Sequence, residues 1–431
     1  MERIKQLYEH YLCNPVICTD SRAVTAGSMF FALKGDSFNG NLYADGALNN
    51  GAILAVVDEQ EFATDERFFL VDDVLTTLQD LAKLHRSHFH KPVIGITGTN
   101  GKTTTKELIN AVLSESFRTH ATKGNLNNHI GVPLTILSAD LSTTDIMIIE
   151  MGANHPGEIA FLSKIAKPDF GLITNVGKAH LEGFGSLEGV IKTKTELYEF
   201  LKSRAGKAFV CSGQQALMQH AASLDHLSYG KESGDYCMGE MVSSDPFLKV
   251  KWHEKDVDLL INTNLVGAYN VDNVLAAVCI GKFFEVPSEK IVLAIEKYTP
   301  SNNRSQVLQS GSNQLILDAY NANPSSMRVA IENFALMNTS SKVAILGDMF
   351  ELGAESRAEH EAILTLLKEF SFSEVLLIGP RFGEVSSDSG FLCFASTDIA
   401  CEWLVAHPIT NASILVKGSR GMKLEKLIPV L

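Results

Sequence analysis

Residues 97–105 read Thr97-Gly98-Thr99-Asn100-Gly101-Lys102-Thr103-Thr104-Thr105, a glycine-rich segment flanked by two regular patterns. It follows the apolar run Val93-Ile94-Gly95-Ile96 and precedes a helical pattern from Lys106 to Leu113. A strand, a glycine-rich loop and a helix in this order are typical of phosphate-binding loops, because backbone N–H groups and the positive end of the helix dipole then face phosphate oxygens. Lys102 can reach the β- and γ-phosphates, and Thr103 can offer its hydroxyl to Mg²⁺. The spacing is a particular version of the motif, since Ile96 stands where the general motif has its first glycine.

The composition is that of a soluble globular protein of two or three domains. The chain has 431 residues, of which 45% are hydrophobic and 20% charged. No apolar run is long enough to predict a membrane span, and the first residues lack the apolar core of a secretory signal. The seven cysteines include no C-x-x-C pair, so we expect a reducing cytoplasm and neither disulfides nor a zinc site. The net charge of −13 argues against nucleic acid as a partner.

Three segments differ in pattern, and we expect them to be three α/β domains comprising residues 1–88, 89–300 and 301–431. Apolar runs predict strands at residues 28–33, 52–57, 93–96, 145–150, 170–175, 315–317, 343–346, 375–378 and 414–416. In the third segment these runs lead into Asp348 and Lys417. Because ligands bind at the carboxyl ends of strands in open α/β sheets, we expect the working edge of a Rossmann-like sheet there. Residues 205–265 carry no recognisable motif.

Two residues, one at the end of a predicted strand and one in the loop after another, are candidate metal ligands. Glu150 ends the run Asp145-Ile146-Met147-Ile148-Ile149, and a strand-end carboxylate is usually just solvated. A phosphate loop upstream in the same segment favours a Mg²⁺ ligand instead. His180 lies in the glycine-rich loop 177–185, where a lone histidine is usually a surface residue but could also be a second metal ligand.

Lys194 lies on the apolar stripe of a helix that starts at Ser186. A lysine in this position can bury its stem and extend its ammonium group to solvent. It can also be buried entirely, in which case its pKa shifts and it becomes chemically useful. The pattern leaves both interpretations open.

Two polar segments near the end of the second segment and the start of the third could meet a nucleotide. Asn270 and Asn273 head a helix, where asparagine is normally a cap. The loop Asp318-Ala319-Tyr320-Asn321-Ala322-Asn323-Pro324 follows a predicted strand and could be a simple turn. It also offers an acceptor, a stacking ring and an amide, which suit a ribose and a base.

Together these motifs resemble those of the Mur ligase family, which comprises ATP-dependent amide-forming enzymes of peptidoglycan synthesis. The phosphate loop is the version found in that superfamily. The further matching runs are Gly124-Asn125-Leu126-Asn127-Asn128, Gly131-Val132-Pro133, Glu150-Met151-Gly152-Ala153-Asn154-His155, residues 179–186, residues 318–324, Gly347-Asp348-Met349-Phe350-Glu351-Leu352-Gly353 and Val416-Lys417-Gly418-Ser419-Arg420. The resemblance therefore covers all three segments.

The resemblance implies a small α/β N-terminal domain that holds a UDP-sugar, a central ATPase domain with a mostly parallel sheet, and a C-terminal Rossmann-like domain. Several of the runs are similar to those of the family member that adds a dipeptide. This implies an ATP-dependent ligase that joins D-alanyl-D-alanine to a UDP-N-acetylmuramoyl-tripeptide through an acyl phosphate. The chain would act in the cytoplasm, as a monomer, with ATP and two Mg²⁺ ions.

The resemblance also implies roles for individual residues. Catalytic roles fall to Lys102, Lys194 and His180, and Lys194 resembles the family lysine that is carbamylated. The implied Mg²⁺ ligands are Thr103, Glu150, His180 and Lys194. The implied ATP-binding residues are Gly98, Thr99, Asn100, Gly101, Lys102, Thr103, Thr104, Asn270, Asn273, Arg304 and Asp318. The implied substrate-binding residues are Ser21, Arg22, Lys34, Asn125, Asn127, Asn128, Tyr320, Asn321, Lys417 and Arg420.

The sequence departs from the family pattern at two places. Thr195 follows Lys194 where the family often has glycine, and Asn302-Asn303-Arg304-Ser305 replaces a more usual proline-glycine-arginine. The alternatives within the superfamily are a ligase that adds a single amino acid and a folylpolyglutamate synthase. Outside it, the alternatives are a phosphate-loop switch or motor NTPase and a catalytically inactive UDP-sugar-binding module.

Overall fold

Strands and helices alternate along the chain, and the strands collect into three main sheets in sequence order. The computed structural model describes residues 2–179, 181–255, 257–301, 303–339, 341–387 and 389–431. The α/β architecture predicted from the sequence is confirmed. His180, a predicted metal ligand, lies outside the described residues. None of the described helices combines the length and apolar character needed to cross a membrane.

The first segment is a short parallel sheet with helices packed against it. Its strands are β1 (Ile17–Cys18), β2 (Met29–Phe31), β3 (Lys34–Gly35), β4 (Phe38–Asn39), β5 (Leu54–Val57) and β6 (Phe68–Leu70), and its helices are α1 (Glu2–Cys13), α2 (Ala44–Asn49) and α3 (Val74–Ser87). The sheet order is β1-β2-β5-β6, while β3 and β4 form an antiparallel ribbon. Helix α3 begins where Asp73 accepts a hydrogen bond from the backbone N–H of Thr76 at 2.7 Å.

The central segment contains the largest sheet. Its strands are β7 (Val93–Thr97), β8 (Thr119–Ala121), β9 (Ile146–Glu150), β10 (Phe170–Ile173), β11 (Lys207–Cys211), β12 (Asp225–Gly230), β13 (Cys237–Ser243), β14 (Lys249–Glu254) and β15 (Val257–Asn262). Its helices are α4 (Lys102–Ser114), α5 (Gly131–Leu137), α6 (Glu158–Ala166), α7 (Leu181–Phe184), α8 (Leu187–Ser203), α9 (Gln215–Ala221), α10 (Val271–Phe283) and α11 (Ser288–Lys297). The order is β15-β14-β13-β12-β11-β10-β7-β9-β8, and the pairs that involve β14 are antiparallel. The stretch without a recognisable motif, residues 205–265, thus forms one half of this sheet.

The third segment is a second, mostly parallel sheet. Its strands are β16 (Gln306–Ser310), β17 (Asn313–Asp318), β18 (Lys342–Gly347), β19 (Glu374–Ile378), β20 (Leu392–Phe394) and β21 (Ser413–Lys417), and its helices are α12 (Pro324–Leu336), α13 (Ser356–Lys368), α14 (Pro380–Val385) and α15 (Thr397–Ala406). The order is β16-β17-β21-β18-β19-β20, with only the pair β16–β17 antiparallel among these described strands. Strands β17 and β21 are neighbours, so Asp318 and Lys417 end side by side.

Successive residues of the central strands belong alternately to two different hydrophobic cores. In β9, Ile146 and Ile148 belong to one core, whereas Met147 and Ile149 belong to the other. Side chains alternate between the faces of a strand, so both faces of this sheet are covered by helices. The second of these cores also includes Leu7 of α1, so the first segment shares a core with the central one.

Candidate functional site

The phosphate loop has the backbone that its glycines predict. Gly98 and Gly101 have φ angles of 140° and 77°, which side-chain-bearing residues rarely adopt. A Cβ atom on Gly98 would lie 2.0 Å from Oγ1 of Thr174. Asn175, just after β10, accepts a hydrogen bond from the backbone N–H of Asn100 at 3.0 Å. The carboxyl end of the neighbouring strand therefore fixes the loop at the start of α4.

Lys102 is the first residue of α4 and contributes a cation to this loop. Its Nζ donates hydrogen bonds to the carbonyl oxygens of Gly98 at 2.8 Å and Thr99 at 2.9 Å. Burial lowers the pKa of Lys102 to about 8, with the Glu150 carboxylate opposing the shift and Arg304 adding to it. Helix α4 thus starts four residues earlier than the helical pattern that predicts it.

Glu150, Thr103 and Asn127 form a corner suited to a divalent cation. The Glu150 carboxylate is 1% exposed, and its Oε1 accepts hydrogen bonds from Thr103 Oγ1 at 3.1 Å and Asn127 Nδ2 at 2.7 Å. Its other oxygen, Oε2, is buried and has no hydrogen-bond partner among the described residues. A buried carboxylate oxygen without a partner is costly unless a cation meets it. The donor set, one carboxylate and one hydroxyl oxygen, fits Mg²⁺.

Lys194 is buried, so its ammonium group does not extend to solvent as one interpretation of the pattern allowed. Its side chain is 2% exposed, and Nζ donates to the carbonyl oxygen of Ala153 at 3.2 Å. Nζ also lies 5.2 Å from the centre of the Phe184 ring. Burial and, to a smaller extent, the charge of Lys102 together lower the pKa of Lys194 to about 7. An amine with this pKa is substantially unprotonated near neutral pH, which makes it a nucleophile.

A single cavity of about 910 Å³ brings most of the predicted residues together. The predicted residues that line it are Thr99, Asn100, Gly101, Lys102, Thr103, Thr104, Asn125, Asn127, Asn128, Glu150, Asn270, Asn273, Arg304, Asp318, Tyr320, Asn321, Lys417 and Arg420. They come from the central and third segments. Lys194 reaches this cavity through its contact with Ala153, which is part of the wall.

Asn270 and Asn273 connect α10 to the phosphate loop. Asn273 donates to Oδ1 of Asn270 at 2.8 Å and accepts from Thr105 Oγ1 at 2.9 Å. Asn270 makes no side-chain cap on α10 and donates instead to the carbonyl oxygen of Val266 at 2.9 Å. Both side chains are buried at the cavity wall, so the simple cap interpretation does not hold for Asn270.

The polar loop after β17 is more than a turn, because it joins the third segment to the phosphate loop. Asp318 pairs with Lys417, which is 1% exposed. The ring of Tyr320 lies under the guanidinium group of Arg304, with 3.5 Å between the Arg304 Cζ and the ring centre. Asn323 donates from Nδ2 to Oδ1 of Asn100 at 2.8 Å.

The departure from the family pattern before Arg304 is accommodated by the backbone. Asn303 stands where glycine is more usual and has a φ of 57°, a left-handed conformation that asparagine tolerates better than most residues. Ser305 also has a positive φ, 47°, and its Oγ lies 2.8 Å from the Tyr269 hydroxyl. Arg304 is therefore presented from a constrained turn.

Asp348 directly follows β18 at the carboxyl edge of the third sheet, as expected, but it is not among the described residues that line the cavity. Its carboxylate is fully buried and accepts hydrogen bonds from the backbone N–H groups of Arg381 and Phe382, both at 2.9 Å. It therefore holds the start of α14. Lys417, by contrast, does reach the cavity.

Three predicted substrate-binding residues lie elsewhere. Ser21, Arg22 and Lys34 are not among the described residues that line the cavity. Arg22 forms an ion pair with Asp20 at 2.7 Å, and Lys34 is 2.8 Å from a carboxylate oxygen of Asp58. Their grouping as a UDP-sugar site stays a prediction.

Asn175, Asn323 and Tyr269 are cavity residues that the sequence did not single out. Asn175 directly follows a strand that neighbours β7, and this position was the signal that could have identified it. The other two act through contacts between distant parts of the chain, for which the sequence alone holds no local signal.

Known proteins resemble this chain along nearly its whole length. The model of the Mur ligase middle domain matches residues 96–281, that of the Mur ligase glutamate ligase domain residues 303–420, and that of the Mur ligase family catalytic domain residues 16–86. The UDP-N-acetylmuramoyl-tripeptide–D-alanyl-D-alanine ligase of Bacillus subtilis is 32% identical over 99% of this chain and 97% of its own length.

Two solved structures share the fold. MurF from Acinetobacter baumannii superposes with a TM-score of 0.85 at 31% identity, covering 95% of this chain and 92% of that one. The MurF ligase from Thermotoga maritima in complex with ADP superposes with a TM-score of 0.85 at 27% identity, covering 97% of each chain. With matches in all three segments and a relative aligned from end to end, this chain belongs to the Mur ligase family.

Proposed function

We propose that this chain is an ATP-dependent ligase that joins D-alanyl-D-alanine to a UDP-N-acetylmuramoyl-tripeptide in peptidoglycan precursor synthesis. The observation that carries the proposal is the cavity in which the phosphate loop faces Arg304 and Arg420 of the third segment. Relatives in Bacillus subtilis and Escherichia coli, each 32% identical, bear the name of this activity. We assign the UDP-sugar to residues 1–88, ATP to residues 89–300 and the Rossmann-like closing sheet to residues 301–431.

The chemistry requires an activated carboxyl group, because oxide cannot leave from a peptide carboxylate. A carboxylate oxygen attacks the γ-phosphorus of ATP, and ADP leaves. The amine of the dipeptide then attacks the acyl carbon, and inorganic phosphate leaves as the amide forms. Positioning and charge neutralisation dominate such a reaction. Lys102 supplies positive charge at the phosphates, and Asn100 holds the loop against the third segment through Asn323.

The residues present fit one Mg²⁺ ion at the corner of Thr103 and Glu150. The support is the buried Glu150 Oε2, which lacks a hydrogen-bond partner among the described residues. When bound, the metal offsets negative charge on the transferring phosphoryl group. His180 and Lys194 complete the proposal as ligands of a second Mg²⁺.

For Lys194 we propose carbamylation, in which the unprotonated amine adds to CO₂ and releases a proton. Burial and the lowered pKa of Lys194 support this, since only the neutral amine reacts. Lys194→Ala should lose activity, and a small carboxylate such as acetate should restore part of it. An active alanine variant with unchanged Mg²⁺ dependence would contradict the proposal.

The acceptor carboxylate is assigned to Arg420. Both Lys417 and Arg420 were candidates, but Lys417 is buried and paired with Asp318. Arg420 is exposed to the cavity and forms no ion pair among the described residues. A guanidinium group also matches a carboxylate with two parallel hydrogen bonds. Arg420→Lys should therefore raise the KM for the dipeptide more than the KM for ATP.

The test is phosphate release with D-alanyl-D-alanine, D-alanine, D-glutamate and L-lysine as acceptors and matched UDP-muramoyl donors. A single amino acid leaves amide-binding groups of the site unpaired, at about 1–3 kcal/mol each, so the dipeptide should be strongly preferred. Equal use of any single amino acid would contradict the substrate assignment. Phosphate release that ignores every acceptor would favour a switch NTPase instead.

One copy of the chain supplies all the predicted side chains around the cavity, and we propose that it acts as a monomer. Size-exclusion chromatography with light scattering tests this, and a stable dimer would contradict it. All seven cysteines are free thiols, which supports our placement of the reaction in the reducing cytoplasm.

A further inference from the structure

Two arginine side chains meet the ring of one tyrosine inside the cavity. The Cζ atom of Arg304 lies 3.5 Å from the centre of the Tyr320 ring, and the Cζ atom of Arg420 lies 5.0 Å from the same point. Both distances fall within the range of cation–π contacts. The two arginines come from separate parts of the third segment, so the ring is where they converge.

Neither guanidinium group has an acidic partner among the residues that the structure describes. Among the described residues, no carboxylate lies within ion-pair distance of Arg304 or Arg420, although the cavity wall includes Glu150, Asp318 and other acids. The positive charge of Arg304 also contributes to the lowered pKa of Lys102, which shows that the two cations are close. Positively charged side chains that share one cavity repel each other, so they need other contacts to keep them in position.

We propose that Tyr320 is a positioning residue whose ring holds Arg304 for the ATP phosphates and Arg420 for the acceptor carboxylate without neutralising either charge. This rests on the proposed function, and it deepens that function by linking the two substrates through one side chain. A carboxylate in place of the ring would neutralise both guanidinium groups and compete with the anionic substrates. An aromatic face orients a cation and leaves its N–H groups available.

The surroundings of Tyr320 support this role. The pair of Asp318 and Lys417 fixes the start of its loop, and the bond from Asn323 to Asn100 fixes the end against the phosphate loop. The ring is half-buried, so its position is set by the cavity wall. Arg304 in turn is held from its own side by the left-handed residues Asn303 and Ser305.

The experiment compares Tyr320→Leu and Tyr320→Phe with the wild type in the ligation assay. Loss of the ring should raise the KM for ATP and the KM for D-alanyl-D-alanine, each by about tenfold. Phenylalanine keeps the aromatic face and should return both KM values most of the way to wild type. The control is Tyr236→Leu, which removes a ring that lies 4.9 Å from Lys282 Nζ outside the cavity. It should change neither KM.

A leucine variant with wild-type KM values would overturn the proposal. So would a phenylalanine variant as impaired as leucine, because the hydroxyl would then be the important group.

A binding arm separates this proposal from the assignment of substrates. ADP affinity is measured by calorimetry for Tyr320→Leu, Arg304→Ala and the double variant. If the ring acts through Arg304, the double variant binds ADP no more weakly than Arg304→Ala alone. If the double variant loses ADP affinity by the product of the two single losses, the two residues act independently and the proposal is overturned. If the wild type binds ADP but joins no dipeptide, the proposed function is wrong. The comparison of ADP affinities still tests whether Tyr320 acts through Arg304.

Discussion

At the scale of single residues, two lysines with lowered pKa values distinguish this site. Lys102 and Lys194 both have lowered pKa values, about 8 and about 7, and the charge of Lys102 contributes to the lowered pKa of Lys194. Their hydrogen-bond partners differ, because Lys102 donates to carbonyl groups of the phosphate loop and Lys194 donates to the carbonyl group of Ala153 in the cavity wall. One is placed to meet phosphates, and the other is placed to react as an amine.

Lys102→Ala should abolish ligation and leave the fold intact. Loss of a positioned contact to developing charge costs roughly 3 kcal/mol, so the rate should fall by about 100-fold or more. Circular dichroism controls for folding, and the ligation assay measures the rate. A folded variant with near-normal turnover would rule out the role assigned to the loop.

Lys194 should make stability depend on pH with a defined sign. Its pKa is about 7 in the folded chain against an ordinary value of 10.5. Between these values the unfolded chain binds more protons, so the free energy of unfolding rises with pH across the window. Below pH 7 the folded chain carries the full cost of burying the charged ammonium group. This cost can reach a few kcal/mol, at about 1.4 kcal/mol per pKa unit.

Lys194→Met removes the cost of burying the charged ammonium group. In carbonate-free buffer the variant should therefore be most stabilised relative to wild type near pH 6, with the gap closing towards pH 10. Urea unfolding at several pH values measures it. A gap that is independent of pH would show that Lys194 does not titrate in this range.

At the scale of elements, side chains from other parts of the chain donate hydrogen bonds to the ends of helices. No local motif predicts these contacts. Arg86, 6% exposed, donates to the carbonyl oxygens of Ala166 at 2.7 Å, Phe89 at 2.6 Å and Lys167 at 2.6 Å. Ala166 is the last residue of α6, where helix carbonyls lack partners within the helix. One arginine near the end of α3 thus connects the first and central segments.

Arg86→Met should destabilise the chain by about 3 kcal/mol or more, since three buried carbonyl groups lose their donor. The matched control is Arg204→Met, because Arg204 is exposed and its guanidinium lies over the Phe200 ring, 5.8 Å from its centre. The control should change stability by less than about 1 kcal/mol. Denaturant unfolding compares the two, and equal effects would contradict the importance of the buried carbonyl contacts.

The sequence predicted those elements in which local pattern and burial agree. Strand β9 and its terminal Glu150 were predicted correctly, because a continuous apolar run is what a strand buried on both faces requires. Strands β11 to β15 were missed. The half-exposed antiparallel strands β13 to β15 carry a weaker pattern, whereas the short apolar run of β11 was not recognised although it is buried. The choice between the two interpretations of Lys194 and the contact of Asn323 with Asn100 depend on packing between distant segments, which no local pattern records.

At the scale of the whole molecule, Asn323 connects two sheets and caps a helix at once. Its Oδ1 accepts from the backbone N–H of Ser326 at 2.8 Å, while its Nδ2 donates to Asn100 at 2.8 Å. Asn323→Asp keeps the cap but replaces the donor with an acceptor facing the Asn100 oxygen. Stability should change by less than about 1 kcal/mol, while the KM for ATP should rise severalfold.

Asn323→Ala is the comparison, because it loses the cap as well and should cost about 1 kcal/mol of stability. Thermal unfolding and ATP kinetics separate the two functions. If aspartate leaves the KM for ATP unchanged, the contact between the sheets does not contribute to nucleotide binding.

The shared core of the first and central segments has a mechanical consequence. Leu7 and Leu78 pack in the same core as Val132 and Ile136, so we expect these two segments to move together. The third segment has two cores, and only Val266 and Phe247 of the central segment join one of them among the described residues. It also meets the phosphate loop through the polar contact of Asn323 with Asn100. We therefore expect the cleft to open and close by a rotation of the third segment about the turn that carries Arg304. Arg304, which we propose meets the nucleotide, lies in that turn, so we expect the orientation of the third segment and the affinity for ATP to change together.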